Sequence, residues 1–454
     1  MSSYFFVGIG GSGMLPLAEL VLARGHQVVG SDRARDQGRS ADKFSALEAK
    51  GVRLFPQNGS GVRAGQVVVA SAAVEASVPD IAAAERLGLQ RVTRAQLLAE
   101  LFNAAPVRVA VGGTSGKSTV TGMIGWILDQ AGRDPTIVNG AVMKNYGSAS
   151  RIGRGDVMVS EVDESDGSIA LYRPTVGVVT NIALDHKPLE ELRELFGQFL
   201  ARSGRAVINV DDAESRALGP AGAVTFGLRP GARLRGDNIV ERPDGTDFLV
   251  AGIPVRLAVP GNHNVSNALA ALAVAEALDI PLGQAAQALA DYAGSNRRLD
   301  VIGTANGVTV IDDFGHNPDK VAATLRTLRA FPGRLLVLFQ PHGYGPLKVM
   351  GRPLAASFAE YLGPDDRLVL PDPAYFGGTT DRSVGSEQLA QWVGPVAEHV
   401  PERTAAAVRL LELAQPGDRI VIMGARDDTL TDLARDMLQQ LGARENAKAR
   451  GGPL

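Results

Sequence analysis

The stretch Gly112-Gly113-Thr114-Ser115-Gly116-Lys117-Ser118-Thr119 combines a nearly bare backbone with an ammonium and several hydroxyls. Successive N–H groups in such a turn form an anion nest, the lysine adds a point charge, and the hydroxyl after it can ligate Mg2+. The strict phosphate-loop pattern would need glycine at 111, where Val111 stands, so the shorter G-x-x-G-K-S form is what remains. The expected chemistry is capture of a nucleoside triphosphate by Gly113, Thr114, Gly116, Lys117, Ser118 and Thr119. A chance glycine–lysine turn is the plain alternative.

Glu161-Val162-Asp163-Glu164-Ser165-Asp166 places four carboxylates in six residues directly after an apolar run. Elsewhere this would read as a solvated loop. Here the run should lie parallel to the strand before the phosphate loop, with its carboxyl end facing the phosphates, where open α/β sheets bind ligands. At least one carboxylate would then sit on Mg2+. Asn181-Ile182-Ala183-Leu184-Asp185-His186 ends another apolar run at the same edge, which favours a site role for His186 over the usual structural one. Gly8-Ile9-Gly10-Gly11-Ser12-Gly13, with Asp32 ending the next strand, satisfies G-x-G-x-x-G. Bare backbone there can approach a pyrophosphate at a helix N-terminus, from NAD or from a nucleotide-sugar diphosphate. A glycine turn needed only for packing remains open. Asn262, Asn264 and Asn267 flank a helix start, where asparagine is often a cap but can also pair with an adenine edge. Arg297-Arg298, followed by Asp312-Asp313-Phe314-Gly315-His316-Asn317-Pro318, makes the last cluster.

These residues need scaffolding. Short apolar runs, turns and amphipathic stretches alternate along the chain, which predicts parallel α/β structure in serial units. Strands are expected at Tyr4–Val7, Gln27–Gly30 and Val67–Val69, then at Val107–Val111, Val157–Ser160 and Val176–Asn181. Helices are expected at Met14–Arg24, from the phosphate loop to about Ala131, and at Val265–Leu278. Residues 224–258 look like a small antiparallel addition. Val308–Ile311, Arg334–Phe339, Asp366–Leu370 and Asp418–Met423 are the strands of a third unit, and the tail after Gly442 reads as frayed. The divisions expected are 1–105, 106–295 and 296–454.

With 454 residues, 45 % of them hydrophobic, each unit can bury a core. A net charge of −3 argues against general affinity for nucleic acid or an anionic membrane. The absence of cysteine excludes disulfides, thiolate metal sites and a cysteine nucleophile. No apolar run reaches the ~18 residues of a membrane span, and no basic segment precedes Tyr4 as in a signal peptide. The expectation is a cytoplasmic protein without membrane insertion; the oligomeric state is not legible.

Taken together and in order, Gly8–Met14, Gly113–Thr119, Glu161–Ser168, Thr180–His186, His263–Ala268 and Asp312–Pro318 resemble the Mur ligase family, the ATP-dependent amide-forming enzymes of peptidoglycan assembly, nearest its alanine-adding branch. The resemblance implies a Rossmann-like domain for a uridine diphosphate sugar, a central P-loop ATPase-like domain, and a C-terminal Rossmann-like domain for the amino acid. It implies UDP-N-acetylmuramate as one partner and an amino acid, first of all L-alanine, as the other, joined through an acyl phosphate. Gly10, Gly11, Ser12, Gly13, Met14, Asp32, Ser71 and Ser165 would contact the sugar nucleotide. ATP and two Mg2+ ions are implied, one ion held by Ser118 and Glu161 and the second by His186. Asn264 and Asn267 would lie at the adenine, Arg298 and Asp313 would reach the nucleotide, and His316 would lie near the incoming amine. Lys117, Glu161, His186 and His316 form the expected catalytic set.

The amino-acid end departs from the family. Gly343 and Pro346 stand where two arginines are expected, Phe314 replaces a tyrosine, and Asn317 replaces a histidine. Lys348 is the substitute anchor for a carboxylate. Glycine, serine or a preformed peptide, as in the muropeptide-recycling branch, are alternative acceptors. An NAD-dependent dehydrogenase is the reading of Gly8–Gly13 taken alone.

Overall fold

The computed structural model describes residues 2–449 except 12, 40, 72–73, 184–186, 375–380, 426 and 428. It is a mixed α/β protein, as the alternation of runs predicts. The chain packs as two units, Met1–Val142 with Tyr146–Arg233 and Ala270–Ala285, and Met143–Asn145 with Leu234–Leu269 and Ala286–Leu454.

The first unit opens with β1 (Ser3–Val7), β2 (Gln27–Ser31), β3 (Arg53–Phe55), β4 (Gln66–Ala70) and β5 (Arg91–Thr93), all parallel in the order β3-β2-β1-β4-β5. Tyr4-Phe5-Phe6-Val7 is buried throughout, as a central parallel strand covered on both faces should be. Helix Arg94–Asn103 then starts on a capping box. Thr93 Oγ1 accepts from Gln96 N at 3.1 Å, and Gln96 Oε1 accepts from Thr93 N at 2.8 Å.

The central strands of this unit are β6 (Val107–Gly112), β7 (Thr136–Met143), β8 (Ser148–Arg151), β9 (Val157–Glu161), β10 (Val176–Val179), β11 (Arg205–Asn209) and β12 (Val224–Gly227), in the order β12-β11-β10-β6-β9-β7-β8. Register matters most here. Val111 pairs with Glu161 and Gly112 with Val179, so β6, β9 and β10 end at one edge. The two sheets share a core. Phe102, wholly buried, meets Tyr172 edge-on with ring centroids 5.0 Å apart, and Asn103 donates to Leu171 O at 2.9 Å while accepting from Arg173 N at 2.9 Å.

The second unit holds the antiparallel addition: β13 (Leu234–Arg242), β14 (Gly245–Val250) and β15 (Ile253–Leu257). Its larger sheet comprises β16 (Asp300–Ala305), β17 (Val308–Asp313), β18 (Leu335–Gln340), β19 (Arg367–Leu370), β20 (Ala397–His399) and β21 (Arg419–Gly424), in the order β16-β17-β21-β18-β19-β20. Only β16 runs antiparallel to its neighbour. Leu335–Gln340 is buried at every position, and the two faces of this sheet have separate apolar cores. The expectation of a frayed tail after Gly442 is corrected: the last helix runs Thr429–Ala449, and Arg444 Nη1 anchors it on Leu411 O at 2.6 Å.

Candidate active site

The phosphate loop follows β6 and opens helix Lys117–Gln130, with Gly116 as a left-handed N-cap at φ 85°. The turn is fastened to the end of β10. Asn181 Oδ1 accepts from Thr114 Oγ1 at 2.7 Å and Ser115 N at 3.0 Å, and Asn181 Nδ2 donates to Ser115 O at 3.0 Å. Thr180 Oγ1 donates to Ser115 O at 2.6 Å. Gly113 sits at φ 134°, and a Cβ there would lie 2.0 Å from Thr180 Oγ1, so only glycine fits.

The acidic strand end meets this loop. Ser118 Oγ donates to Glu161 Oε2 at 2.8 Å, and the same oxygen accepts from Gly140 N at 2.8 Å. Lys117 Nζ donates to Glu164 Oε2 at 2.9 Å and to Gly113 O at 2.6 Å. Burial alone would lower the Lys117 ammonium, but Glu164 and Glu161 outweigh it and hold the pKa above the ordinary lysine value. Burial also pushes Asp163 up, and hydrogen bonds from Ser165 with the Lys117 charge overcome it and leave it below the usual carboxylate range. Ser165 N donates to Asp163 Oδ1 at 2.9 Å, so Ser165 is tied into this loop. Lys117, Ser118, Thr114 and Glu161 are thus brought together; Thr119 is buried in the first helical turn, and His186 lies outside the described residues.

At the N-terminal glycine turn, Gly10 N donates to Asp32 Oδ2 at 2.8 Å, while Asp32 Oδ1 caps helix Arg33–Asp36 through Ala34 N at 2.8 Å. Gly11 N bonds Gly8 O at 3.1 Å. A cavity of about 330 Å3 opens beside Val7, Gly8, Asp32, Arg33, Gln57 and Glu75. Gly13 caps helix Met14–Ala23, and the Met14 side chain packs into the shared core. Ser71 lies exposed just beyond β4, and Ser12 is outside the described residues. Sequence reasoning missed Arg94, whose side chain lies against Gly13 and whose charge acts on Asp163. It begins a helix and carries no motif. Asn139 and Gly140 were missed for the same reason: Asn139 Nδ2 donates to Ser118 O at 3.0 Å from mid-strand.

In the second unit, Asp313 ends β17 with its carboxylate engaged three times, by Leu299 N at 2.8 Å, Gly315 N at 2.8 Å and Thr324 Oγ1 at 3.0 Å. The Arg298 guanidinium lies over the Phe314 ring, 4.5 Å from its centroid, a contact that a phenylalanine supplies as well as a tyrosine. Asn317 caps helix Pro318–Arg329 by accepting from Lys320 N at 2.9 Å. Asn264 Nδ2 donates to Pro260 O at 2.8 Å, and Asn267 Nδ2 to Asn264 Oδ1 at 3.2 Å. Lys348, half exposed, pairs with Asp381 at 2.6 Å.

His316 packs edge-on against His342 with centroids 5.0 Å apart, and its Nδ1 lies 2.8 Å from Phe314 O. A carbonyl only accepts, so Nδ1 carries the proton and Nε2 the lone pair. Burial, with Lys320 nearby, lowers its pKa to about 2, so the ring is neutral at physiological pH. The stability consequence has a definite sign. Between the unfolded value near 6.5 and the folded one, the unfolded chain binds the extra proton, so stability falls as pH falls. At pH 5 this histidine should cost about 2 kcal/mol relative to pH 7. Urea unfolding of wild type and His316→Gln at both pH values should show the difference shrinking in the variant.

Glycine loop, lysine, hydroxyl and carboxylates thus meet at one sheet edge, and the sheet before it carries the N-terminal glycine turn with Asp32. The chain belongs to the Mur ligase family. Three of its models match in order: the Mur ligase family, catalytic domain, over residues 3–105; the Mur ligase middle domain over 111–275; and the Mur ligase, glutamate ligase domain over 297–426. The UDP-N-acetylmuramate–L-alanine ligase of Phenylobacterium zucineum is 35 % identical over 93 % of this chain and 92 % of its own length. That of Geobacter sulfurreducens is 36 % identical over 92 % and 94 %. In fold, the chain is similar to the UDP-N-acetylmuramate–alanine ligase of Thermotoga maritima, with a TM-score of 0.79 at 23 % identity over 98 % of this chain and all of that one.

Proposed function

We propose that this protein is an ATP-dependent ligase that joins the carboxylate of UDP-N-acetylmuramate to the amine of L-alanine. The observation that carries it is the joining of Lys117, Ser118 and Glu161 at one sheet edge, in a chain about 35 % identical over nine-tenths of its length to ligases of that name. The peptide-adding alternative is not favoured by these relatives, and a dehydrogenase would leave the phosphate loop and its carboxylates without a task.

A carboxylate is a poor electrophile at neutral pH. Transfer of the γ-phosphoryl group from ATP makes it an acyl phosphate, and the amine then attacks through a tetrahedral intermediate that expels phosphate. Little covalent work falls to the protein; positioning and charge neutralisation dominate. Lys117 would sit against the transferring phosphoryl oxygens with the Gly116, Lys117 and Ser118 amides, while Thr114 N and Ser115 N hold the loop on Asn181. The Ser118 hydroxyl and Glu161 carboxylate are adjacent hard oxygens and fit Mg2+, which when bound would neutralise phosphate charge. A second ion on His186 is part of the proposal, as are the adenine contacts of Asn264 and Asn267, the nucleotide contacts of Arg298 and Asp313, and His316 near the amine. The glycine turn with Asp32, Ser71 and Ser165 would hold the sugar nucleotide, the cavity beside Gly8 taking its nucleoside end. Lys348 would meet the amino-acid carboxylate by exchanging Asp381 for it. The working division is 1–105, 106–295 and 296–454. No helix of the described residues is long and apolar enough to cross a membrane, and we place the enzyme in the cytoplasm, where ATP and nucleotide sugars are available.

Phosphate release should require both UDP-N-acetylmuramate and L-alanine, and product mass should report one alanine added. Equal release with neither substrate present would sink the assignment, and a mass increment matching a peptide would transfer it to the recycling reaction.

A further inference from the structure

An ammonium has three N–H donors. In Lys117 all three have acceptors: Gly113 O at 2.6 Å, Glu164 Oε2 at 2.9 Å and Glu164 Oε1 at 3.1 Å. The lysine that should hold phosphate is therefore already holding a carboxylate, and holding it by both oxygens. The pair is sheltered, with side-chain exposures of 15 % for Lys117 and 4 % for Glu164.

We infer that Glu164 is a resident counter-ion of the phosphate loop, displaced by the incoming polyphosphate, and that it sets both the affinity and the anion selectivity of that loop. The inference rests on the nucleotide reading of Lys117 given above. Its logic is exchange. A ligand reaching Lys117 must replace two charge-assisted hydrogen bonds and release a buried carboxylate to other surroundings. A neutral ligand, or one with a single diffuse charge, does not repay that loss. A chain of phosphates does, because its oxygens meet the lysine and the loop amides at once. The neighbouring contact works in the same direction: the single Ser118 hydroxyl proton is committed to Glu161, on the same strand end as Glu164.

Displacement would also be felt beyond the lysine. Glu164 lies between Asp163 and Ser165, its carbonyl accepts from Gly167 N at 3.1 Å, and Asp163 O accepts from Ile169 N at 3.0 Å. The Glu164 side chain thus springs from the same turn as Ser165, a residue assigned above to the sugar nucleotide. When products leave, the ion pair re-forms and assists the exit of the spent nucleotide.

The test is Glu164→Gln, which keeps the shape and removes the charge. Calorimetric titrations of wild type and variant would use ATP, inorganic tripolyphosphate and adenosine. Both phosphate ligands should bind roughly tenfold more tightly to the variant, the lower end of what close charge pairs contribute. Adenosine, with no phosphate for Lys117, should bind equally to both proteins. In the double variant Lys117→Met/Glu164→Gln the gain for tripolyphosphate should vanish. Unchanged or weaker tripolyphosphate binding in Glu164→Gln, at a wild-type melting temperature, would overturn the inference. If Glu164→Gln melts early, Glu164→Asp serves: it keeps the charge, withdraws it by one methylene, and should show a smaller gain; no gain there overturns the inference equally. The ligase reading fails separately, if tripolyphosphate tightens while phosphate release never depends on the UDP sugar.

Discussion

Replacing Lys117 by methionine should lower substrate-dependent phosphate release by about 10³-fold, the scale for removing one preorganised charge from a transferring group. Methionine retains much of the buried stem, so the loss would be electrostatic rather than a matter of packing. The same change leaves Glu164 buried without its cation. Removing one partner of such a pair costs about 3–5 kcal/mol unless the carboxylate takes up a proton. Burial already pushes the Glu164 carboxyl upward, so part of that cost should be relieved by protonation. The single variant should therefore lose both activity and stability. Adding Glu164→Gln should restore most of the stability, read by urea unfolding, and none of the activity, read by phosphate release. Recovery of activity in the double variant would show that Lys117 serves the fold alone.

Gly113→Ala should be nearly as damaging through a different cause. The backbone there is at φ 134°, which an L side chain rarely adopts, and the added methyl would sit 2.0 Å from Thr180 Oγ1 and 3.1 Å from Asn181 O. Neither neighbour can retreat easily. Thr180 N is bonded to Gly112 O at 3.1 Å, and Thr180 Oγ1 supports Ser115 O at 2.6 Å. Backbone strain and overpacking each contribute about 1–3 kcal/mol, so a loss of about 4 kcal/mol is expected, with ATP binding abolished. Thr180→Ala in the same chain should recover part of the stability by removing the blocking oxygen, and little of the binding. A wild-type unfolding midpoint for Gly113→Ala would show that the turn can adopt another path.

The parts of the site legible in the sequence are those whose chemistry is local. Gly113 to Thr119 announce an anion turn because the amides, the lysine and the hydroxyl are neighbours in the chain. Glu161 was legible at one remove, since a carboxylate ending a parallel strand next to β6 must face the same edge. Glu164 could be counted among the acidic residues, but its grip on a lysine 47 positions away depends on how the 163–168 turn curls, which spacing does not encode. Gly140 contributes only an N–H, and any residue type has one. In the second unit the sequence marked Asp313 for a ligand; its carboxylate holds Leu299, Gly315 and Thr324 in place, three partners far apart in the chain. Asn317 reads as a lost histidine until its capping bond to Lys320 N is seen. The strands were legible because parallel strands buried on both faces contain unbroken apolar runs, such as Leu335–Phe339. The final helix was not, because its later turns are polar; Arg444 ties them to Leu411 O.

The seam made by Phe102, Asn103, Leu171 and Tyr172 bears on how this chain can be cut. A fragment ending near 105 would carry Phe102 and Leu97 without the central residues that share their core, and would leave Tyr172 and Ile169 bare on the other piece. Such halves should be sticky and poorly folded apart, and should recombine when expressed together. The glycine turn and the phosphate loop are thus inherited as one block, and exchanging the first hundred residues between relatives will succeed only if this seam travels with them.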